Sequence, residues 1–157
     1  MINFILKTIL FYSLMIYSLA SSNDREIEIT ANSMEWKKKD SIAIAIGDAK
    51  AIQGNNILYA NKIVVFFNKK QNMKSIKKLD ALGNVKFLRE SQIATGDSAV
   101  YFVENEKILI KGNVTLERED SIMLGDELSI DLKTSSSKLI SKNNEKVKAK
   151  YNTEKQN

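Results

Sequence analysis

The chain of 157 residues contains no cysteine, no histidine and no proline. Without cysteine it has no disulfide framework and no thiolate metal site. Without histidine it has no Ser-His-Asp triad, no HExxH zinc site and no imidazole proton shuttle. The absence of proline suits uninterrupted strands whose turns depend on glycine, asparagine and aspartate. We therefore expect a protein that is not an enzyme, with no catalytic residue, no cofactor and no metal ion.

The formal net charge of +5 is concentrated at one end of the chain. The segment from Lys142 to Asn157 holds five lysines and two glutamates, so the rest of the chain is close to neutral. A basic domain would indicate a nucleic-acid partner, and this distribution indicates none. The tail has few apolar residues and no periodicity, which predicts an unstructured segment over residues 142–157.

The N-terminal segment has the pattern of a secretory signal. The apolar run Ile9–Tyr17 follows Lys7, and the small residues Ser18 and Ala20 come next. This order of a positive charge, an apolar stretch and small residues at the −3 and −1 positions is typical of a signal peptide. We expect residues 1–20 to be removed on export and residues 21–141 to form one domain.

One pattern repeats three times after this segment. Gly47–Phe67, Gly83–Val103 and Gly112–Leu132 align without a gap, and each begins with glycine followed by aspartate or asparagine. The repeats share an isoleucine at one offset and a second small-residue corner, namely Ile57, Ile93 and Ile122, and Ala60-Asn61, Gly96-Asp97 and Gly125-Asp126. A repeat of about 30 to 36 residues predicts a stack of like units that bury a shared apolar face.

Apolar residues lie at even offsets from the leading glycine of each repeat. Period-two alternation predicts strands with one buried and one wet face. The even-offset positions are Ala49, Ala51, Ile57, Tyr59, Ile63, Val65 and Phe67, then Val85, Phe87, Ile93, Thr95, Ala99, Tyr101 and Val103, then Val114, Leu116, Ile122, Leu124, Leu128, Ile130 and Leu132. Partial units flank the repeats, because Ile27–Trp36 resembles the second half of a unit and Ser137–Ser141 resembles the start of a fourth.

Two all-β architectures fit this pattern, a parallel β-helix and an elongated roll of antiparallel strands. The loops Gln53–Asn56, Arg89–Gln92 and Arg118–Ser121 are polar and hairpin-like, which favours antiparallel pairing. We therefore predict an elongated, open roll of short antiparallel strands in two sheets, built from repeated units.

The residues that carry this pattern also resemble a known family. The run ITANSMEW, the run IAIGDAKAIQGNNILYANKIVVFF and the GNV strand starts at Gly83 and Gly112 are similar to the LptA/OstA family. These are periplasmic lipopolysaccharide-transport proteins of Gram-negative bacteria. The resemblance extends from Ile27 to about Ile140. No single motif is specific, and the resemblance depends on the ordered succession of three units behind a signal peptide.

The resemblance implies a β-jelly roll, open at both ends, with an apolar groove for the acyl chains of lipid A. It also implies location in the periplasm and head-to-tail stacking into a bridge. The bridge would run from an inner-membrane complex of an LptC-like protein and an ABC transporter to an outer-membrane LptD-like protein. The expected groove residues are Ile57, Tyr59, Ile63, Val65, Phe67, Phe87, Ile93, Tyr101, Leu116, Leu128 and Ile130. The expected stacking edges hold Ile27, Ile29, Met34, Leu139 and Ile140.

Three alternatives stay open at the level of sequence. The alternating apolar face is also what an ordinary filled core would show. A retained N-terminal segment, which is nearly long enough to span a bilayer, would make the chain an LptC-like, membrane-anchored component of the same transport system. A parallel β-helix would instead indicate a filament-forming structural protein.

Overall fold

The structure, a computed structural model, describes residues 26–69 and 75–153. The predicted signal over residues 1–20 lies outside this range. The described chain forms one antiparallel sheet of ten strands. In chain order the strands are β1 (Glu28–Thr30), β2 (Ser33–Lys37), β3 (Ile42–Gln53), β4 (Asn56–Phe67), β5 (Ile76–Arg89), β6 (Gln92–Phe102), β7 (Lys107–Arg118), β8 (Ser121–Asp131), β9 (Ser136–Ile140) and β10 (Lys148–Tyr151).

The six long strands β3 to β8 follow one another in chain order, each antiparallel to the next. At one edge β1 and β2 pair with the two halves of β3. At the other edge β9 and β10 pair with the two halves of β8. The two edges do not pair with each other, so the sheet stays open. The predicted antiparallel roll is confirmed over the parallel β-helix.

The long strands bend at the corners that the repeat predicted. The register shifts between Ile46 and Ala49 on β3, and between Lys111 and Val114 on β7. Such bulges bend a strand and strengthen its twist. The single hydrogen-bonded sheet therefore folds into two layers, which we treat as two sheets, and each long strand contributes to both. We call the part with the two-residue turns at 54–55, 90–91 and 119–120 the hairpin sheet, and the part with the loops at 103–106 and 132–135 the loop sheet. The six long strands have 11 to 14 residues and are longer than the short strands we predicted, because the corners bend the ladder without ending it. The edge strands β1, β2, β9 and β10 are short, with 3 to 5 residues.

The corner at Gly112 shows why these residue types occur there. Gly112 has φ +81, and a Cβ atom at this position would collide with the carboxylate of Asp97 on the neighbouring strand. The side-chain amide of Asn113 donates to Asp97 Oδ2 at 2.9 Å. Glycine adopts positive φ without strain, and asparagine tolerates it better than most residues. The Gly-Asn pair therefore bends the strand and links it to the corner of the neighbouring strand β6.

The apolar faces of the two sheets pack against each other. Their buried side chains form one continuous cluster that extends from β3 to the end of β8. Its largest fully buried members include Phe87, Ile63, Leu79, Ile108, Ile110, Leu116 and Leu128. The two described ranges hold no helix that is long and apolar enough to cross a membrane.

The prediction of an unstructured tail is wrong for Lys148–Tyr151. These residues form β10 and pair with Ser121–Leu124 of β8. Four residues with two lysines are a weak strand signal by sequence alone. The open edge of β8 offers unpaired backbone groups, and pairing with them stabilises the strand.

Candidate functional site

The interior between the two sheets brings together most of the predicted groove residues. Seven of them are buried there, namely Ile63, Val65, Phe87, Tyr101, Leu116, Leu128 and Ile130. Phe67 is partly buried against the same cluster. They come from both sheets, because Phe87 and Leu116 lie on the hairpin sheet and the others lie on the loop sheet. The repeat therefore builds one apolar interior from facing surfaces.

We predicted that Ile57, Tyr59 and Ile93 face the apolar interior, and this prediction is wrong. All three lie on the outer surface of the hairpin sheet, where Tyr59 has the ammonium of Lys50 5.8 Å from its ring centroid. The cause is the two-residue turn at the tip of each hairpin. Paired residues of antiparallel strands share a face, and Ala51 pairs with Leu58. The inward positions after the turn therefore fall at odd offsets from the leading glycine.

Several interior residues were missed by the repeat analysis. Leu58 and Ala94 follow the turns and are 4% and 1% exposed. Leu79, Ile108 and Ile110 come before the leading glycines, on the first halves of β5 and β7. The apolar run Ile108–Ile110 between two lysines could have marked this segment as a buried strand, whereas the odd-offset positions required knowledge of the turn length.

The interior is packed rather than hollow. A small apolar cavity of about 20 Å³ lies among Ala51, Leu58, Leu79, Phe87 and Ile108. One water molecule needs about 10–15 Å³ of such space, so the cavity has room for about one water molecule and none for an acyl chain. The two sheets therefore stand in contact, and a guest between them requires that they move apart.

The long side opposite the corners holds a wide, polar cleft of about 790 Å³. On the hairpin sheet its rim includes Gln53, Asn56 and Arg89. On the loop sheet it includes Val103 and Leu132, which pack against or belong to the core, and the acidic residues Glu104 and Glu106. The rim of the hairpin sheet is thus polar, and the rim of the loop sheet is partly apolar and partly acidic.

Within residues 26–69 and 75–153, three side-chain hydrogen bonds cross this open side. The hydroxyl of Tyr101 donates to Gln53 Oε1 at 2.5 Å. The guanidinium of Arg89 donates to the backbone carbonyl of Leu132 at 3.0 Å. The guanidinium of Arg118 donates to the hydroxyl of Ser137. Each bond joins the hairpin sheet to the loop sheet. The three bonds together hold the two sheets in contact on the side where no strand connects them.

Tyr101 is the most perturbed titratable group of this side. Burial, and secondly the negative charge of Glu106, raise the pKa of its phenol from 10.0 to about 12. Both effects disfavour the phenolate. Tyr101 is therefore a neutral hydrogen-bond donor to Gln53 at physiological pH.

The two ends of the roll expose interior-facing side chains. Met34 and Trp36 pair with Ala45 and Ala43 of the interior face, yet they are 55% and 54% exposed because they lie on an edge strand. The ring of Trp36 lies 4.7 Å from that of Phe67. The five residues predicted for the edges lie on or beside edge strands, with Ile27 and Ile29 at β1, Met34 in β2, and Leu139 and Ile140 in β9.

The outer surface is stabilised by charged pairs and corner hydrogen bonds. Glu127 lies between the ammonium groups of Lys142 and Lys111, at 3.1 and 3.6 Å, and the hydrogen bond from Lys142 is the main cause that lowers its pKa. Asp126 accepts from the backbone N–H of Lys142 at 2.7 Å. Among the residues that the structure describes, no group of three or more histidine, cysteine or acidic side chains could hold a metal ion.

Comparison with known proteins identifies a family and individual proteins whose sequences are similar to this chain. Residues 28–136 match the family described as LptA/(LptD N-terminal domain) LPS transport protein. An uncharacterized protein of Rhizobium meliloti (strain 1021) is 28% identical over 127 residues, which are 77% of this chain and 68% of that protein. The LPS-assembly protein LptD of Nitrosomonas europaea is 35% identical over 63 residues, which are 40% of this chain and only 9% of that protein.

A solved structure has the same fold. The crystal structure of LptH from Pseudomonas aeruginosa, the LptA-homologous periplasmic component of its lipopolysaccharide transport device, superposes with a TM-score of 0.72. The match covers 85% of this chain and 99% of LptH at 16% identity.

Proposed function

Because the chain belongs to the LptA/(LptD N-terminal domain) LPS transport protein family, we propose that it carries lipopolysaccharide through the periplasm, with the acyl chains of lipid A held between its two sheets. The observation that supports this most is the interior itself, an apolar layer that spans the whole sheet and is left uncovered at an edge strand. A globular core ends in polar or covered edges, whereas this one ends in Met34 and Trp36, more than half exposed.

The energetics suit a guest with several acyl chains. Each methylene group that leaves water gains about 0.8 kcal/mol, and this gain counts against the cost of separating the sheets. Binding of this kind needs apolar side chains that face each other, as Leu58 and Phe87 of the hairpin sheet face Leu79 and Ile108 of the loop sheet across the small cavity. It needs no charged residue inside.

Photo-crosslinking with adjacent residues of one strand tests the proposal. A photoreactive phenylalanine analogue is placed at Phe87 or Leu116, which face the interior, and at Lys86 or Glu117, which face outward. We expect crosslinks to lipopolysaccharide in cells at the first pair and few at the second. Equal yields at interior and exterior positions would sink the proposal, because both sites of each strand experience the same lipid concentration.

We further propose that copies of the chain assemble head to tail by continuing the sheet. On the hairpin sheet, β10 of one copy would pair with β1 of the next. Continuing the register places Lys150 beside Glu28 and Ala149 beside Ile29, since Lys150 pairs with Ile122 and Glu28 with Ile52 in equivalent rows. The exposed backbone groups of both edge strands favour such addition.

The loop sheet gives the same register. Continuing its rows places Lys138 of β9 beside Glu35 of β2 in the next copy, and Leu139 beside Met34. Opposite charges thus meet on the outer face in both sheets, and apolar side chains meet on the inner face. A single strand-to-strand step satisfies both sheets, which supports this arrangement over a contact between the same edges of two copies.

In this proposal an inner-membrane LptC-like protein with its ABC transporter and an outer-membrane LptD-like protein continue the sheet at the two ends of the assembly. The intact mass of the protein isolated from cells distinguishes it from the LptC-like alternative. We expect the loss of roughly 20 residues, as for a cleaved signal. A chain of full mass that stays with the inner membrane would favour the anchored component.

A further inference from the structure

Gln53, Arg89 and Arg118 hold the same position in the three repeats, six residues after each leading glycine. All three end a strand of the hairpin sheet, immediately before its two-residue turn. Each contacts a different group of the loop sheet across the open side, as described above. The repeat thus encodes not only the corners but also a row of polar contacts on the side opposite to them.

This row separates the outer cleft from the apolar interior. Gln53, Asn56 and Tyr101 line both the cleft of about 790 Å³ and the interior cavity of about 20 Å³. The hydrogen bond between Tyr101 and Gln53 therefore lies between the two spaces. An acyl chain in the cleft would reach the interior only where this bond is broken.

The corners provide a hinge for such an opening. The long strands run from one sheet to the other through the bulges, on the side of the roll away from the cleft. A change in bend at the bulges would move the two rims apart while every strand kept its neighbours. The closed state also leaves two polar atoms unsatisfied, because Asn56 Oδ1 and Arg118 Nε are buried without a hydrogen-bond partner in the described structure. Opening would let water reach both atoms.

We propose that the open side of the roll is a gate through which acyl chains enter sideways, and that Gln53, Arg89 and Arg118 are the residues that hold it shut. This inference rests on the proposed function, since it assigns the route to the proposed acyl-chain site. The contacts that break on opening are polar and regain water in the cleft, whereas the apolar surface that opening exposes is covered again by the acyl chains. The gate therefore opens for an amphiphile and stays shut in water.

A reversible crosslink across the gate tests the route. The chain has no cysteine of its own, so Arg118→Cys with Ser137→Cys introduces the only thiols. A short bis-methanethiosulfonate linker joins them and a reductant releases them. We expect the linked protein to take up lipopolysaccharide from micelles at least about tenfold more slowly than the same protein after reduction, as for loss of a major open population.

A matched control carries the same linker within one sheet. Thr95→Cys with Thr115→Cys joins paired residues on the outer face of the hairpin sheet, and we expect no change in the rate of uptake. A linked gate with an unchanged rate would overturn sideways access while binding itself stood. Failure of the reduced protein and of the parent chain to bind lipopolysaccharide would overturn the gate and the proposed function together.

Weakening the gate gives the opposite change. Gln53→Ala removes the acceptor of the Tyr101 hydroxyl, and we expect uptake several-fold faster with the affinity at equilibrium little changed. Slower uptake by this variant, with its thermal unfolding temperature near that of the parent, would contradict the proposal. This second variant keeps the test independent of the cysteine substitutions at Arg118 and Ser137.

Discussion

The side chain of Asn61 occupies the space above Gly83 on the neighbouring strand. A Cβ atom at Gly83 would lie 2.7 Å from Asn61 Nδ2, and Gly83 has φ +76. Asn61 Oδ1 accepts a hydrogen bond from the side chain of Asn84 at 3.2 Å. The small residue of one corner and the amide of the next are thus parts of one packing arrangement.

We expect Gly83→Ala to lower the free energy of unfolding by about 1–3 kcal/mol, because it adds both a contact below normal distance and strain from positive φ. Urea unfolding measures the change. The double variant Gly83→Ala, Asn61→Ala removes the contact and keeps the strain, so it should recover part of the loss. A single variant as stable as the parent would show that the corner adjusts freely.

Because Ala94 faces the interior and Ile93 faces outward, we expect a charged substitution to destabilise the protein much more at Ala94 than at Ile93. Ala94→Asp would place a charge at a position that is 1% exposed, and an unpaired buried charge costs about 3–5 kcal/mol. Ile93→Asp lies on the outer face, and we expect a loss of about 1 kcal/mol or less. Thermal unfolding of both variants checks this. A larger loss of stability for Ile93→Asp would indicate that the side chain of Ile93 faces the interior.

The raised pKa of Tyr101 predicts a stability that depends on alkaline pH. The folded pKa of about 12 lies above the unfolded value of 10.0, so the unfolded chain releases the proton first. The stabilisation from the neutral phenol is therefore fully present below pH 10 and is lost as pH rises through 12. We expect the free energy of unfolding to fall more steeply between pH 10 and 12 in the parent than in Tyr101→Phe.

Tyr59→Phe is the control for this titration, because Tyr59 lies on the outer face. It should keep the steep decline of the parent. If Tyr101→Phe also kept it, other groups would account for the pH dependence, and the burial of the phenol would play no part.

The assembly register predicts a charge-dependent self-association. Lys138→Glu with Lys150→Glu turns two favourable pairs into two repulsive ones, and exposed pairs contribute about 0–1 kcal/mol each. We expect association to weaken about tenfold. Sedimentation measures it, and so does the emission of the single tryptophan, Trp36, which should shift to the blue as the edge becomes covered.

Charge reversal at the opposite edge provides the control for this prediction. Glu28→Lys with Glu35→Lys in an equimolar partner chain should restore association with the Lys138→Glu, Lys150→Glu chain. Persistent weakness in the mixture would mean that the lysines act through another contact, and the proposed register would be rejected.

Much of this architecture was accessible from residue order. The Gly-Asp and Gly-Asn corners, the three repeats and the alternation at Ile63, Val65, Leu128 and Ile130 predicted antiparallel strands with one apolar face, and these residues are buried. Local preferences determine such features, because a corner needs positive φ and a half-buried strand needs period two. The partial units at both ends likewise predicted open edges.

Only the tertiary structure decided which residues face each other. The two-residue turns changed the phase, so that Leu58 and Ala94 point inward and Ile57 and Ile93 outward, and pairing with β8 ordered Lys148–Tyr151. The contacts of Gln53, Arg89 and Arg118 across the open side join residues 19 to 48 positions apart. Sequence alone determined the strands and their corners because these depend on neighbours in the chain; the interior and its closed side depend on how the two sheets meet.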